Sequence, residues 1–544
     1  MRIGKSIKLA VAGASILALV ATSAQATVYP GFPINDDRVA FTVEDLVNNP
    51  YSFIVNNSLF RALQAGTTVE TPEATKFCDE FNQRGCNLDA NADLSINSVL
   101  PMCGDSIENC IKTLEFVNSD GKVVKAKFVR YFKGKTFEGL KDLGMPGGSR
   151  PSLWEAPGTT NLGGTDQYVV NAILNWNYLK GSATVTNFSA SVYAIKGNSD
   201  ARFTEPKIYA DNILGAFRSI TDSGEISYDG SCVATEVGFC AEKVDFAPGT
   251  RIRLSMQLSN KVTGWLHGRI AKPEITVSPI NTLYNTLTVA ADAVDVPMMY
   301  AQFKKSDMSA DFLQSYENNR SLGRGKVVES FWKQFYPETR FASTLITTFA
   351  EKVGNKASEV HSYWNLSSIF NNSDNKCMSD SSKLVGFVTT NAMAYSGSAP
   401  NWDGQTLEYK VAGLHLLPDG KTPASGSYDL AIRSEAARCL YGFTNAPISA
   451  TVSVTSADGQ PKVATTVLNE KNGWLYLAAY GFSFSAPTIK IKLSQEKAVE
   501  ATPTPSPTPA ATKPVIKTIK CVKGKTVKTV KGVKPKCPAG YKSK

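Results

Sequence analysis

Histidine is scarce in this sequence, and acid is missing altogether from its last stretch. The 544 residues include only His267, His361 and His415, far apart, and no CxxC pair. Structural zinc sites need four Cys or His ligands at short spacings, so no such site is expected. GxSxG, HExxH, GxxxxGK[ST] and GxGxxG are all absent. Nucleophile elbows, zincin helices, phosphate loops and dinucleotide turns are therefore not signalled. SxxK occurs four times, at Ser119, Ser330, Ser373 and Ser494. A penicillin-interacting enzyme also needs separate SDN and KTG motifs. The one SDN lies inside the match at Ser373, and KTG is missing. "LDANADLSIN" sets Asp89, Asn91 and Asp93 at calcium-loop spacing. Leu94 replaces the loop glycine and Leu100 stands where a bidentate Glu is required, so an Asx-rich turn is the plainer reading. Glycoside hydrolysis needs two carboxylates across a cleft, and nothing selects a pair from 48 acidic residues. No catalytic residue, cofactor or metal ligand is assigned.

Long apolar runs are equally rare. The longest, Leu9 to Val20, follows Arg2, Lys5 and Lys8 and precedes Ala24-Gln25-Ala26. That order is a secretory signal with an A-x-A cleavage site, so residues 1–26 are expected to be removed before Thr27. The run is too short to span a bilayer, and the mature chain is expected to have no transmembrane segment. No sorting pentapeptide or hydrophobic tail closes the sequence. The expected location is extracellular or cell-envelope associated.

Cysteine is present in an even number, ten, all beyond residue 26. In an exported chain this predicts disulfides. Clustering pairs Cys232 with Cys240, Cys377 with Cys439 and Cys521 with Cys537. Cys78, Cys86, Cys103 and Cys110 can join in three ways.

Charge is divided unevenly. The formal net charge is +10, from 58 basic and 48 acidic residues. Subtracting the three cations of the signal and the eleven lysines from Lys513 onward leaves Thr27–Thr512 at about −4 (10 − 3 − 11). The basic balance belongs to the end, not to the body, so it is no nucleic-acid signature for the folded part.

The body reads as multidomain antiparallel β-sandwich. Residues 27–151 are mixed and carry the four-cysteine cluster and the run "KVVKAKFVRYF". Residues 152–302 alternate with period two. Phe188, Ala190, Val192 and Ala194 share one face, as do Ile252, Leu254, Met256 and Leu258, which marks half-buried strands. In 303–382, Phe349, Val353, Ala357, Val360 and Trp364 fall at helical spacing and predict short connecting helices. From 383 to 495 the alternation is clearest, in Ile448, Ala450, Val452 and Val454 and in Ile489, Ile491 and Leu493. Turn signals such as "EKNG" separate these runs, and about eight strands fit an immunoglobulin-like sandwich.

Residues 496–514 include "ATPTPSPTPAATKP", a Thr/Pro linker of extended polyproline character that reaches roughly 40 Å. Residues 515–544 follow as a cationic Cys/Lys tail. The alternation of lysine with β-formers around Lys523-Gly524 predicts a hairpin. Lys517, Lys520, Lys523, Lys525, Lys528, Lys531, Lys534, Lys536 and Lys542 are the candidate polyanion-binding residues. Lysine is a point charge without the planar fork of arginine, which suits a diffuse anionic surface. An anionic cell-wall polymer, a membrane surface or an acidic polysaccharide would serve, with no specific nucleic acid. The plain alternative is a solubilising end, which needs neither staple nor spacer.

A second, smaller candidate is "GWLHGRI". Trp265, His267 and Arg269 alternate and would share one strand face, where a ring and a planar cation suit a glycan. The alternative is a packed Trp265 with Arg269 in a structural salt bridge.

The tail "CVKGKTVKTVKGVKPKCPAGYK" after its Thr/Pro linker resembles a terminal module of uncharacterised secreted proteins of high-GC Gram-positive bacteria. The preceding block, from "ARCLYGFTNAPISATVSVTSADG" to "APTIKIKL", is similar to the domain before that module. The resemblance covers about the last third of the chain and implies secretion, but no activity or site. The sequence thus favours a non-catalytic secreted or envelope-associated binding or adhesion protein. A carbohydrate-active extracellular enzyme and a structural surface-layer component are the alternatives.

Overall fold

In the computed structural model the described residues are 37–45, 59–63, 75–78, 80–81, 86–88, 93–104, 108–117, 120–134, 136–198, 207–209, 218–220, 232–236, 239–318, 333–444, 448–455, 461–462, 465–484, 488–495 and 515–544. The expected signal peptide and Thr/Pro linker, with Asp89, Asn91 and Lys513, lie outside them, as do the side chains of Cys232 and Cys240. The described residues up to Ser494 form one compact unit and those from Gln495 a second.

The first unit is mainly β, and among the described residues it contains three α-helices, Ala310–Asn318, Arg340–Phe349 and Ser434–Tyr441. Its longest hairpin pairs Gln167–Leu179 with Ser182–Asn198. The two-residue turn is Lys180-Gly181, both with positive φ (49° and 79°), the type I′ geometry that matches strand twist. Asn472-Gly473, at 54° and 76°, closes the hairpin of Thr465–Lys471 with Trp474–Ser483 in the same way. This is the turn that "EKNG" signalled.

These hairpins belong to one 15-stranded sheet that runs from the edge strand Thr75–Phe77 to the edge strand Thr465–Lys471. A five-stranded sheet packs on it. Phe188, Ala190, Val192 and Ala194 from the long sheet meet Ile252, Leu254, Met256 and Leu258 in a single core with Trp364 and Trp474. The alternation expected of both runs is what builds this sandwich. A six-stranded sheet packs elsewhere on the long one. There Leu430, Ile432, Leu475 and Leu477 meet Leu407, Tyr409, Ile489 and Ile491.

The long sheet carries strands from the expected N-terminal, central and C-terminal segments, so boundaries at 151, 302 and 382 do not separate independent sheets. The joint is the strand Gly264–Arg269. It pairs antiparallel with Asn365–Ile369 and parallel with Leu384–Thr390. A third cluster lies beside these layers. Helix Arg340–Phe349 buries Ala342, Leu345, Ile346 and Phe349 against Val39, Phe41 and Val43.

One helical reading needs correction. The spacing from Phe349 to Trp364 is not a helix. The helix ends at Phe349, a 3₁₀ turn follows, and Gly354 and Asn355 take φ of 68° and 52°. Left-handed residues stop a helix. Val360 then lies in the strand Glu359–Tyr363 and Ala357 under the third cluster.

Disulfides join Cys78 to Cys86, Cys103 to Cys110, and Cys377 to Cys439. The first two resolve the pairing that sequence left open. The third ties the loop before Leu384–Thr390 to helix Ser434–Tyr441 across 62 residues. Among the described residues, no helix is long and apolar enough to cross a membrane.

Candidate functional site

Lysine and β-formers alternate in the tail, and the alternation folds as expected. Lys517–Lys523 and Thr526–Gly532 pair antiparallel around the turn Gly524-Lys525, where Gly524 takes φ of 60°. Glycine carries no Cβ penalty for that conformation. A short third strand, Lys542–Ser543, pairs with the free edge of Lys517–Lys523. The Lys544 amide donates to the Lys520 carbonyl at 2.9 Å.

Cys521, fully buried, is bonded to Cys537. By register Cys521 faces Lys528 and Ile519 faces Val530, so these four share one side of the hairpin. Ile519 and Val530 are half-buried there, and the Lys528 ammonium lies 5.4 Å from the centre of the Tyr541 ring. Three small apolar groups make a poor core. Closing a loop of 16 residues contributes about 3 kcal/mol in the chain-entropy model and offsets that weakness.

The charge stands outside this core. Lys517, Lys520, Lys523, Lys525, Lys528, Lys531, Lys534, Lys536 and Lys542 are all exposed, and so is Lys544. No aspartate or glutamate occurs from residue 513 onward. Lys517, Lys523 and Lys528 stand on the disulfide side of the three strands and Lys520, Lys531 and Lys542 on the other, while Lys525, Lys534, Lys536 and Lys544 lie beyond the strands, so the knob is cationic on both sides.

The second candidate does not survive as a surface. Trp265, His267 and Arg269 do share one face of the strand Gly264–Arg269, but they are only 1%, 3% and 0% exposed. Trp265 packs in the second core, its Nε1 donating to the Met378 carbonyl at 2.9 Å. It lies so close over Gly386 that a Cβ there would strike the ring. His267 stacks on Tyr395 with ring centres 3.9 Å apart. Burial, and then the nearby Arg269 charge, hold its pKa well below the usual range, so it is a neutral packing group. Arg269 Nη2 meets Asp45 at 2.9 Å, Nη1 donates to the carbonyls of Thr390 and Ala392, and the guanidinium covers Tyr395 at 4.6 Å. The packed tryptophan and structural salt bridge are what occur. A glycan from solvent meets none of the three.

Sequence reading missed the partners of Arg269 and a neighbouring network. Lys243 is half-buried, its ammonium 4.1 Å from the centre of the Tyr363 ring. Desolvation lowers its pKa, opposed by Asp245, Asp45 and Glu44. Asp245 accepts from the Ser362 amide at 2.6 Å and lies 3.4 Å from His361 Nδ1. Burial alone would raise its pKa, but His361, Lys243 and that amide hold it low. His361 also reaches Glu359 at 3.1 Å. Burial opposes its charge, yet the two carboxylates raise its pKa above the usual value. No local signal announces this network, because Asp45 lies 224 residues from Arg269.

A cleft of about 410 Å³ opens between Asn260, Asn281, Asn285, Ser382, Lys383 and Arg433. Its cations are already engaged. Lys383 pairs with Asp380 at 3.2 Å and Glu435 at 2.7 Å, and Arg433 stacks on Trp474 at 4.3 Å. Among the described residues, no group of three or more His, Cys, Asp or Glu side chains is arranged to hold a metal ion. Among the described residues, the tail presents a run of exposed cations with no acidic side chain in its own segment. No family model matches the chain, and no curated protein is significantly similar to it.

Proposed function

We propose that this is a secreted, envelope-associated β-sandwich protein of non-catalytic, binding or adhesive type, retained on an anionic surface by its cationic tail. One observation carries the reading. Ten described lysines are all exposed on a disulfide-stapled module built on a three-stranded sheet, and its sequence holds no acidic side chain. A solubilising end would work equally well as an unfolded chain, so the staple and the fixed register favour recognition. The disulfides of the body and the signal sequence support export.

Each exposed ammonium gains little from one anion, but several acting together on one chain bind with effective multivalency. Such attachment is screened. The Debye length falls from about 8 Å at physiological salt to about 3 Å at 1 M, so salt should release the protein. Deleting residues 513–544 is expected to move it from the envelope fraction to the medium while the body keeps its melting transition. Retention of the truncated chain as tight as that of the full chain, and indifferent to salt, would show that the sandwich carries attachment.

A further inference from the structure

The two sides of the tail hairpin differ. One side is closed by the Cys521–Cys537 bond and Tyr541. The other presents Thr518 beside Lys531, Lys520 beside Thr529, and Val522 beside Val527, as the register requires. The third strand adds Lys542 next to Val522. Three lysines thus share one open face with two threonines, the half-buried Val522 and the exposed Val527. Val527 is 56% exposed, and Ile516 and Val533, which flank the two strands, are 66% and 53% exposed. With Val515 they make four of the eleven strongly exposed large hydrophobics among the described residues, although the tail supplies only residues 515–544.

We propose that this open face docks on an anionic phospholipid bilayer. The inference rests on the retention reading above and narrows it to one kind of surface. A wall polymer or acidic polysaccharide satisfies the ammonium groups but gives the aliphatic groups no apolar phase to enter. A bilayer surface offers both within a few ångströms. Headgroup phosphates meet the ammonium groups, and the acyl boundary receives Ile516, Val527 and Val533. Lysine stems are long and splay sideways, so the charge stays at phosphate level while the shorter side chains go deeper. Charge draws the face to the surface, and apolar contact holds part of the binding when salt screens the charge.

The test uses the full chain, sedimented with vesicles of equal parts phosphatidylglycerol and phosphatidylcholine, with phosphatidylcholine vesicles, and with alginate beads. The triple variant I516T/V527T/V533T keeps β-branching at all three positions and removes aliphatic contact. It is expected to bind phosphatidylglycerol vesicles roughly tenfold more weakly and to lose the fraction that survives high salt. Its binding to alginate should not change, and neither protein should sediment with phosphatidylcholine alone. The charge variant K520E/K531E/K542E should lose both anionic ligands, with the Cys521–Cys537 bond confirmed by peptide mapping. Undiminished vesicle binding by the threonine variant, or equal weakening toward alginate, overturns the bilayer proposal. Binding of the intact chain to alginate but not to vesicles also overturns it and leaves the retention reading standing. Failure to bind either anionic ligand removes both.

Discussion

Arg269 and Lys520 carry the same charge in opposite surroundings. Arg269 is 0% exposed and gives its donors to Asp45 and two carbonyls. Lys520 is exposed on a sheet with no carboxylate side chain in its segment. In the body a cation is tolerated only because its partners are fixed around it, since an unpaired buried charge costs several kcal/mol. In the tail a cation needs no partner, because water solvates it until a ligand arrives. The body spends charge on its own architecture, and the tail keeps charge for something outside.

Three measurements sharpen that contrast. The largest effect is expected for Arg269→Met, which strands Asp45 in a buried site. Loss of up to about 5 kcal/mol in chemical denaturation is expected. Lys520→Met, the same chemical change in the tail, should leave the body's midpoint unmoved. Equal sensitivity at the two positions would break the comparison.

The disulfides provide a second test. Removing the Cys377–Cys439 bond with alanines frees a loop of 62 residues and should cost about 4 kcal/mol in the body. Removing Cys521–Cys537 should leave the body's unfolding unchanged and weaken surface retention less than deleting the tail, because its charge survives.

The smallest effect concerns Asp429, which is 5% exposed. Burial pushes its carboxyl up to about 6, against hydrogen bonds from Tyr480, Thr389 and the Lys272 amide. The folded state therefore binds more protons than the unfolded state between about pH 4 and 6. Its contribution worsens as pH rises through that window and is fully unfavourable above it. Asp429→Asn cannot titrate; its amide nitrogen can donate to the Tyr480 oxygen, reversing that bond, while its oxygen accepts from the Thr389 hydroxyl and the Lys272 amide. It should be more stable than the parent at pH 7.5 by roughly 2–3 kcal/mol, and the gap should close as pH falls to 4. A gap that stays constant across this range would mean that Asp429 does not titrate there.

Local pattern made the strands legible. Ile252, Leu254, Met256 and Leu258 point to one core because period-two alternation reports which face is apolar. Asn472-Gly473 and the tail turn at Gly524 were readable because their backbone needs positive φ. What local pattern omits is the identity of a strand's neighbour. The run from Lys122 to Phe132 looks like one strand, yet Val123–Lys125 pairs in the five-stranded sheet and Lys127–Tyr131 in the long one. Trp265, His267 and Arg269 alternate as a surface motif would, and only the distant Asp45, Met378 and Tyr395 reveal them as core. In the tail, alternation showed where lysines fall. The side that the disulfide closes, and hence the side left open, emerged only from the register.

The parallel seam at Gly264–Arg269 also governs how the molecule comes into being. That strand is made long before Leu384–Thr390, which in turn awaits Ser425–Arg433 and Trp474–Ser483. The earliest described strand, Arg38–Val43, waits for Val294–Lys304. Loop closure of this length precedes any reward from pairing, so slow assembly is expected. Nascent chains stand for that interval with open edges and uncovered apolar faces. The last strands of the body act as the clasp that ends the exposure, and a chain cut short before residue 425 is left as an unfinished, adhesive intermediate rather than a smaller version of the same protein.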